Sequence, residues 1–489
     1  MALAFPALVC LASGLALVST AWPRRGGTTP DWILRASLAI GYGLGVFSLV
    51  FVLARTFGLS NLIVVDLVVV SLLVLTSLLL RNRGATPHPD APNTETLELP
   101  KWLDLILTSA FGVSLCVAVY SAFMRTLAHP HGEGWDAFSI WNLHARFLFL
   151  SGPRWRDGFS AVIPWSHPDY PLLLPGAIAH FWSYLGRDET MVPGAIGVLF
   201  TFCTVGLLFS ALSILRGRTI AMLGGLALLT TPFFIELGTS QYADVPLSFF
   251  ILATITLLCL HDNRAAESDA SCSPGLIVLA GLGAGFAAWT KNEGLLFLCA
   301  ILAVRFLEFV RARSHRSRAL AFVILLAAVA PVFLLIAWFK HSVAPPGDLF
   351  SDPATAMHKI LDPARYWAVL KWYGKDFLRF GHWLLIPGTL LLPSVYLVTG
   401  FRQSRTSQPC VQSSVFALVM TLAGYFLIYL ITPYDLYWHL RFSLARLFMQ
   451  LWPSAVFLFF LALPKPENDP ATYPTESAKG LRSPEIVSK

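Results

Sequence analysis

Arg318–Phe339 reads RALAFVILLAAVAPVFLLIAWF, with one charge at its first position and none after it. An apolar run of about 20 residues is what an α-helix needs to cross the roughly 30 Å hydrocarbon core of a bilayer. Similar runs recur at about 2–22, 33–54, 60–80 and 103–124. They resume at 191–213, 219–235, 245–262, 275–289, 294–311, 381–399, 412–431 and 447–463. With 318–339 that makes thirteen candidate spans. The 489 residues are 56% hydrophobic and only 13% charged, where a soluble domain carries about 25% charged residues. The sequence therefore predicts an all-α polytopic membrane protein of about thirteen transmembrane helices, with interfacial helices in a long first outer loop of its core.

The net charge of +7 belongs largely to short turns between apolar runs, which is how orientation in a membrane is set. A nucleic-acid partner is excluded on that ground. Arg24/Arg25, Arg81/Arg83/Lys101, Arg216/Arg218, Arg264, the run RARSHRSR at 311–318 and Arg402/Arg405 share one side, which is read as cytoplasmic. The opposite side holds Arg55, Lys291 and little else, together with the long loops 125–190 and 340–380. The N-terminal apolar stretch has no basic segment before it and reads as a first helix rather than a signal peptide. None of the seven cysteines stands at a zinc-site spacing. The expected organisation is an accessory group of helices over 1–80, a cytoplasmic linker over 81–102, a functional core over 103–464 and a disordered tail over 465–489.

Polar chemistry concentrates in four outward segments. The first is HPHGEGWDAFSIWNL from His129, with Glu133 and Asp136. Asp136 precedes an amphipathic run and could cap its helix; at the roof of a bundle it could equally serve as a general base. Glu133 reads as a solvated loop residue. The apolar but proline-broken Tyr170–Leu185 is expected to be re-entrant or interfacial. The second segment is FFIELGTSQYADVPLSFF, 233–250, where Tyr242 and Asp244 cluster. Asp244 could cap a helix, or carboxylates on this side could hold a divalent cation. In the third, AAWTKNEGLLF, Lys291 could reach for headgroups or supply a point charge to a phosphate. The fourth, TPYDLYWHLRFSLARLFMQLWP, places Asp435, His439 and Arg446 near one helical face. Arginine on this side runs against the charge rule. That all four map to one end of the bundle carries more weight than any one of them.

GWDAFSIW with Asp136, HPDYPLLLP with His167, SQYADVPL with Asp244 and GLGAGFAAWTKNEG with Lys291 together resemble the GT-C superfamily of integral-membrane glycosyltransferases. That superfamily includes protein O-mannosyltransferases, aminoarabinose transferases and rhizobial lipopolysaccharide-core galacturonosyltransferases. The likeness is good over roughly 100–300. It implies inverting transfer of a sugar from a polyprenyl-phosphate donor to a hydroxyl of a glycan, lipid or protein, at the periplasmic face of a bacterial inner membrane. Asp136 would be the base; Lys291, His167, His439, Arg446 and Tyr242 would bind donor phosphate and substrate. Some members use a divalent metal (Mg or Mn), for which Asp244 and Glu133 are the candidate ligands. Ala137 stands where the family often has a second acidic residue, and Asp169-Tyr170 follow the His-Pro pair. A lipid-linked sugar flippase and a non-catalytic scaffold are the rival classes.

Overall fold

A computed structural model describes residues 3–22, 28–81, 99–267, 274–311, 315–350, 353–398 and 409–463. Arg24, Arg25, Arg83, Arg313, Arg402 and Arg405 lie outside these ranges, as do most of the linker and the whole tail. The described chain is helical, with no strand among the described residues. It opens with α1 (Ala4–Ala21), α2 (Thr29–Thr56), α3 (Leu62–Arg81) and α4 (Lys101–Ala128). The loop beyond contributes α5 (Asn142–Leu150) and α6 (Leu173–Leu185). The bundle continues with α7 (Met191–Arg216), α8 (Arg218–Leu229), α9 (Pro232–Thr239), α10 (Asp244–Glu267), α11 (Pro274–Thr290), α12 (Asn292–Arg311) and α13 (His315–Ser342). Then follow α14 (Pro353–Ile360), α15 (Pro363–Phe377), α16 (Gly388–Val398), α17 (Pro409–Ile431) and α18 (Leu436–Ala462).

This is the all-α polytopic class that the apolar runs predict. Among the described residues nine helices are long and apolar enough to cross a membrane: α1–α4, α7, α10, α13, α17 and α18. A tenth arises if α8 and α9, bent by 66° at their junction, count as one broken span. The difference from thirteen has local causes. α11 has 17 residues, α12 carries Glu293 in its first turn and Arg305, Glu308 and Arg311 towards its end, and the described part of the 381–399 run is helical only over the 11 residues of α16.

The bundle is arranged around α10. Its apolar residues cover every face, which is the pattern of a helix with no lipid side, and its whole spanning window is buried. α7, α11 and α18 enclose it. Phe249 and Phe250 of α10 both meet Phe200 of α7 edge-on. The first three helices, expected as one accessory group, differ in their packing. α1 and α2 belong to the bundle: Gly43 of α2 sits so close to α1 that a Cβ would lie 2.3 Å from the Cys10 carbonyl. Only 6% of the α3 window is buried. Its single inward polar group, Asp66, ties it to His180 and Tyr184 of α6.

The loop after α4 is a folded cap. A π-helical turn at Ala137–Trp141 leads into α5, and short 3₁₀ turns connect to α6. α6 spans about 20 Å at 1.5 Å per residue, too short to cross, and packs against α2 and α5. Trp141, Leu148, Trp155, Phe159 and Trp182 are buried apolar residues of the cap and are continuous with the core of the bundle.

His144 is fully buried there, its Nε2 3.4 Å from Ser166 Oγ and its ring 4.7 Å from that of Phe159. Burial, aided by nearby His167, pushes its pKa down to about 3. The folded cap therefore holds a neutral ring, while the unfolded chain takes up a proton near pH 6.5. Its contribution to stability is complete above about pH 6.5 and is lost as pH falls from there towards 3. The melting temperature of the detergent-solubilised protein should drop between pH 7.5 and pH 5, and His144→Leu should flatten that drop. An unchanged slope in the variant would remove His144 from this role.

Candidate active site

The site is built on the first residue of α10. Gln241 ends the preceding turn in the left-handed region, at φ 62°. Its side chain is pinned on both sides: Oε1 accepts from Asn142 Nδ2 at 2.7 Å and Nε2 donates to the Pro130 carbonyl at 3.1 Å. A non-glycine residue in that conformation is held there by its surroundings, and such strain gathers at functional sites. Here it brings the hydroxyl of Tyr242, two residues ahead of Asp244, against Gly134 of the cap.

Asp244 has no exposed surface. One carboxylate oxygen accepts from Lys291 Nζ at 3.0 Å and from Gln450 Nε2 at 2.6 Å. The other accepts from Arg446 Nε at 3.0 Å and Nη2 at 2.8 Å. A buried carboxylate is tolerated only when paired and hydrogen-bonded in this way. The third nitrogen of Arg446, Nη1, reaches Asp136 at 2.8 Å. One guanidinium thus joins the cap to the bundle axis, with the Tyr242 ring 4.5 Å from its centre. Burial, with Asp136 and Asp244 close by, pushes the Tyr242 hydroxyl up to about 12, so it stays protonated.

Asp136 precedes the π-turn but its side chain caps no backbone N–H. Asp435 does: it accepts from Trp438 N at 2.8 Å at the start of α18. The capping alternative therefore does not hold for Asp136. Gly134, at φ 87°, explains part of the GEGWD sequence: a Cβ there would lie 2.5 Å from the Tyr242 hydroxyl. Of the two carboxylates on Arg446, Asp244 is sealed while the Asp136 side chain keeps 21% of its surface.

Lys291 lies in the turn between α11 and α12 and also pairs with Glu293 at 2.8 Å. Burial works against its charge, but Asp244 and Glu293 outweigh it and hold its pKa above the usual lysine value. Its ammonium lies 5.9 Å from the centre of the Tyr170 ring. That ring is stacked between Trp141 and His167. His167 occupies the left-handed region at φ 48°, which turns the HPDY segment back under the cap. Asp169 accepts from Asn292 Nδ2 at 2.7 Å and from Lys340 Nζ at 3.3 Å, joining α13 to the same end of the bundle.

Asp136, Tyr242, Asp244, Lys291 and Arg446 thus form one connected group, with His167 beside it across Tyr170. His439 stands apart from the ion pairs, with Nδ1 2.8 Å from Thr432 Oγ1 and its ring edge-on to Tyr429. Glu133 is not in the group; it pairs with Arg125 at the end of α4. The donor set does not fit a divalent metal. Both Asp244 oxygens are occupied by cationic and amide donors, and no group of three or more His, Cys, Asp or Glu among the described residues could hold an ion. Gln450, Tyr425, Asn292 and Lys340 escaped the sequence reading. Gln450 and Tyr425, joined at 2.8 Å, were legible only as polar residues inside spans. Lys340 was a cation at the outward end of a long apolar helix, the same signal that marked Lys291.

One-sided charge at the head of a buried axial helix, roofed by an aromatic cap, defines an integral membrane protein with a polar site at one end. Residues 167–338 match the family model for dolichyl-phosphate-mannose-protein mannosyltransferase, so this stretch carries a domain of the GT-C class. Such a domain implies a membrane glycosyltransferase that uses a lipid-linked sugar. The match takes in His167, Tyr242, Asp244 and Lys291; Asp136 and Arg446 lie on either side of it. No curated protein and no solved structure matches the chain.

Asp244→Asn should destabilise the protein by about 3–5 kcal/mol, because it leaves Arg446 and Lys291 buried without their shared counter-charge. Adding Lys291→Met should restore part of that loss. Thermal unfolding in one detergent, compared across the wild type, both single variants and the double variant, reads this coupling. Strict additivity would mean that the pair does not interact.

Proposed function

We propose that the protein transfers a sugar from a polyprenyl-phosphate donor to an acceptor hydroxyl with inversion at the anomeric carbon, Asp136 acting as general base. The supporting observation is the division of labour on Arg446: Asp244 anchors the guanidinium in the bundle, and Asp136 on the same guanidinium stays open to a ligand. In this reading Asp136 takes the proton of the acceptor hydroxyl as its oxygen attacks the anomeric carbon. The bond from that carbon to the phosphate oxygen breaks on the opposite face, and the polyprenyl phosphate leaves with the electron pair.

The charge that develops on the leaving phosphate needs fixed donors. An ammonium carries three N–H donors and a guanidinium five. The ion pairs above leave one on Lys291 and two on Arg446 for that purpose. Arg446 has a second effect: its Nη1 contact holds the Asp136 carboxylate in place. The acceptor is a glycan, lipid or protein hydroxyl, and the face is the one opposite the arginine-rich turns, the periplasmic face of a bacterial inner membrane.

Asp136→Asn keeps the shape of the side chain and removes the base. Transfer from a polyprenyl-phosphate sugar should fall by about 10²–10⁴-fold, with a melting temperature close to that of the wild type. A folded Asn variant with full activity would rule Asp136 out as the base.

A further inference from the structure

One cavity stands apart from this site. About 420 Å³ in volume, it lies at the other end of the bundle, where α10 and α12 finish and α13 and α17 begin. Drug-sized pockets run from about 300 to 1,000 Å³, so this one can take a headgroup-sized ligand. Leu258, Ile277 and Leu325 form apolar wall, while His261, Asp262, Arg305 and Glu308 bring polar groups to it.

These polar groups are connected on one side only. Arg305 Nη1 donates to Asp262 at 2.8 Å and to Glu308 at 3.0 Å, and His261 Nδ1 lies 3.0 Å from Asp262. Nε and Nη2 of Arg305 and Nε2 of His261 are buried with no hydrogen-bond partner. Nε and Nη2 make up the edge of a guanidinium that binds a carboxylate or phosphate through two parallel hydrogen bonds. The His261 side chain is only 8% exposed, so its unpartnered nitrogen points to a ligand rather than to bulk water. At the mouth stands exposed Arg318, the last residue of a run, RARSHRSR, that holds four arginines and no acid. Basic clusters at membrane-proximal ends attract anionic headgroups.

We propose that this cavity is a binding site for a phosphate group, gripped by the Nε/Nη2 edge of Arg305 with His261 Nε2 beside it. Two sources can present that chemistry, the headgroup of an anionic phospholipid and a free phosphate. The site is separate from the transfer site and does not depend on the activity assigned there.

The test uses the full chain, purified and delipidated in detergent. Thermal stabilisation is measured against phosphatidylglycerol, phosphatidylcholine and inorganic phosphate in turn. The wild type should show saturable stabilisation by phosphatidylglycerol beyond that by phosphatidylcholine if a headgroup is the source, or by inorganic phosphate alone if a free phosphate is. Arg305→Lys keeps the charge facing Asp262 and Glu308 but removes the two-point edge, and should weaken binding about tenfold. Ala321→Trp fills the cavity from its wall and should abolish binding, which covers the case in which the lysine variant folds poorly. No phosphate-dependent stabilisation of the wild type, or wild-type affinity in both variants, would overturn the proposal.

Discussion

The ionised carboxylate of Asp244, with no exposed surface at the head of the central helix, is the constraint on which the arrangement depends. An isolated charge in that position would cost several kcal/mol. It is tolerated because Lys291, Arg446 and Gln450 arrive from two other elements with all their contacts at 3.0 Å or less. The same requirement fixes the register of α18 against α10 and the place of the α11–α12 turn. Once those are set, the third arm of Arg446 has one direction left, and it meets Asp136 of the cap. Packing and site geometry are therefore one problem, solved by one guanidinium.

This arrangement places the cap under control of the bundle. The aromatic residues of the cap pack into the core of the bundle, while its link to the site runs through a few polar contacts: Asn142 to Gln241, Gln241 to the Pro130 carbonyl and Asp136 to Arg446. On the other flank Lys340 and Asn292 hold Asp169. The carboxylate that stays accessible belongs to the cap, and the one that is sealed belongs to the axis. Under the proposed function, a site that receives a lipid-borne donor and a hydroxyl acceptor gains from that division, since the anchoring charge need not move when the accessible one meets its partner.

The class of fold was legible in Arg318–Phe339 and its counterparts, because burying backbone in hydrocarbon leaves long apolar helices as nearly the only solution. The number of spans was less so. Hydropathy does not reveal that α8 and α9 bend by 66° or that residues 381–387 are not helical. For the site, Asp136, Asp244, Lys291 and Arg446 were each singled out, since charge at the outward end of an apolar run is expensive enough to stand out, and Tyr242 was noted beside Asp244. What residue spacing alone could not supply was pairing: that Arg446 would join residues 136 and 244, that Asp435 would be the helix cap, or that Glu133 would turn to Arg125. Gln450 was missed because an uncharged amide inside a span looks like any other tolerated polar residue until its partner is known.

The most direct test of the account is a cryo-EM structure with a polyprenyl phosphate bound. The account predicts the phosphate within hydrogen-bonding reach of Lys291 or Arg446, with Asp244 still paired as it is now and the Asp136 carboxylate facing the open side. A phosphate held elsewhere in the bundle, with Asp136, Asp244 and Lys291 untouched by it, would contradict the account.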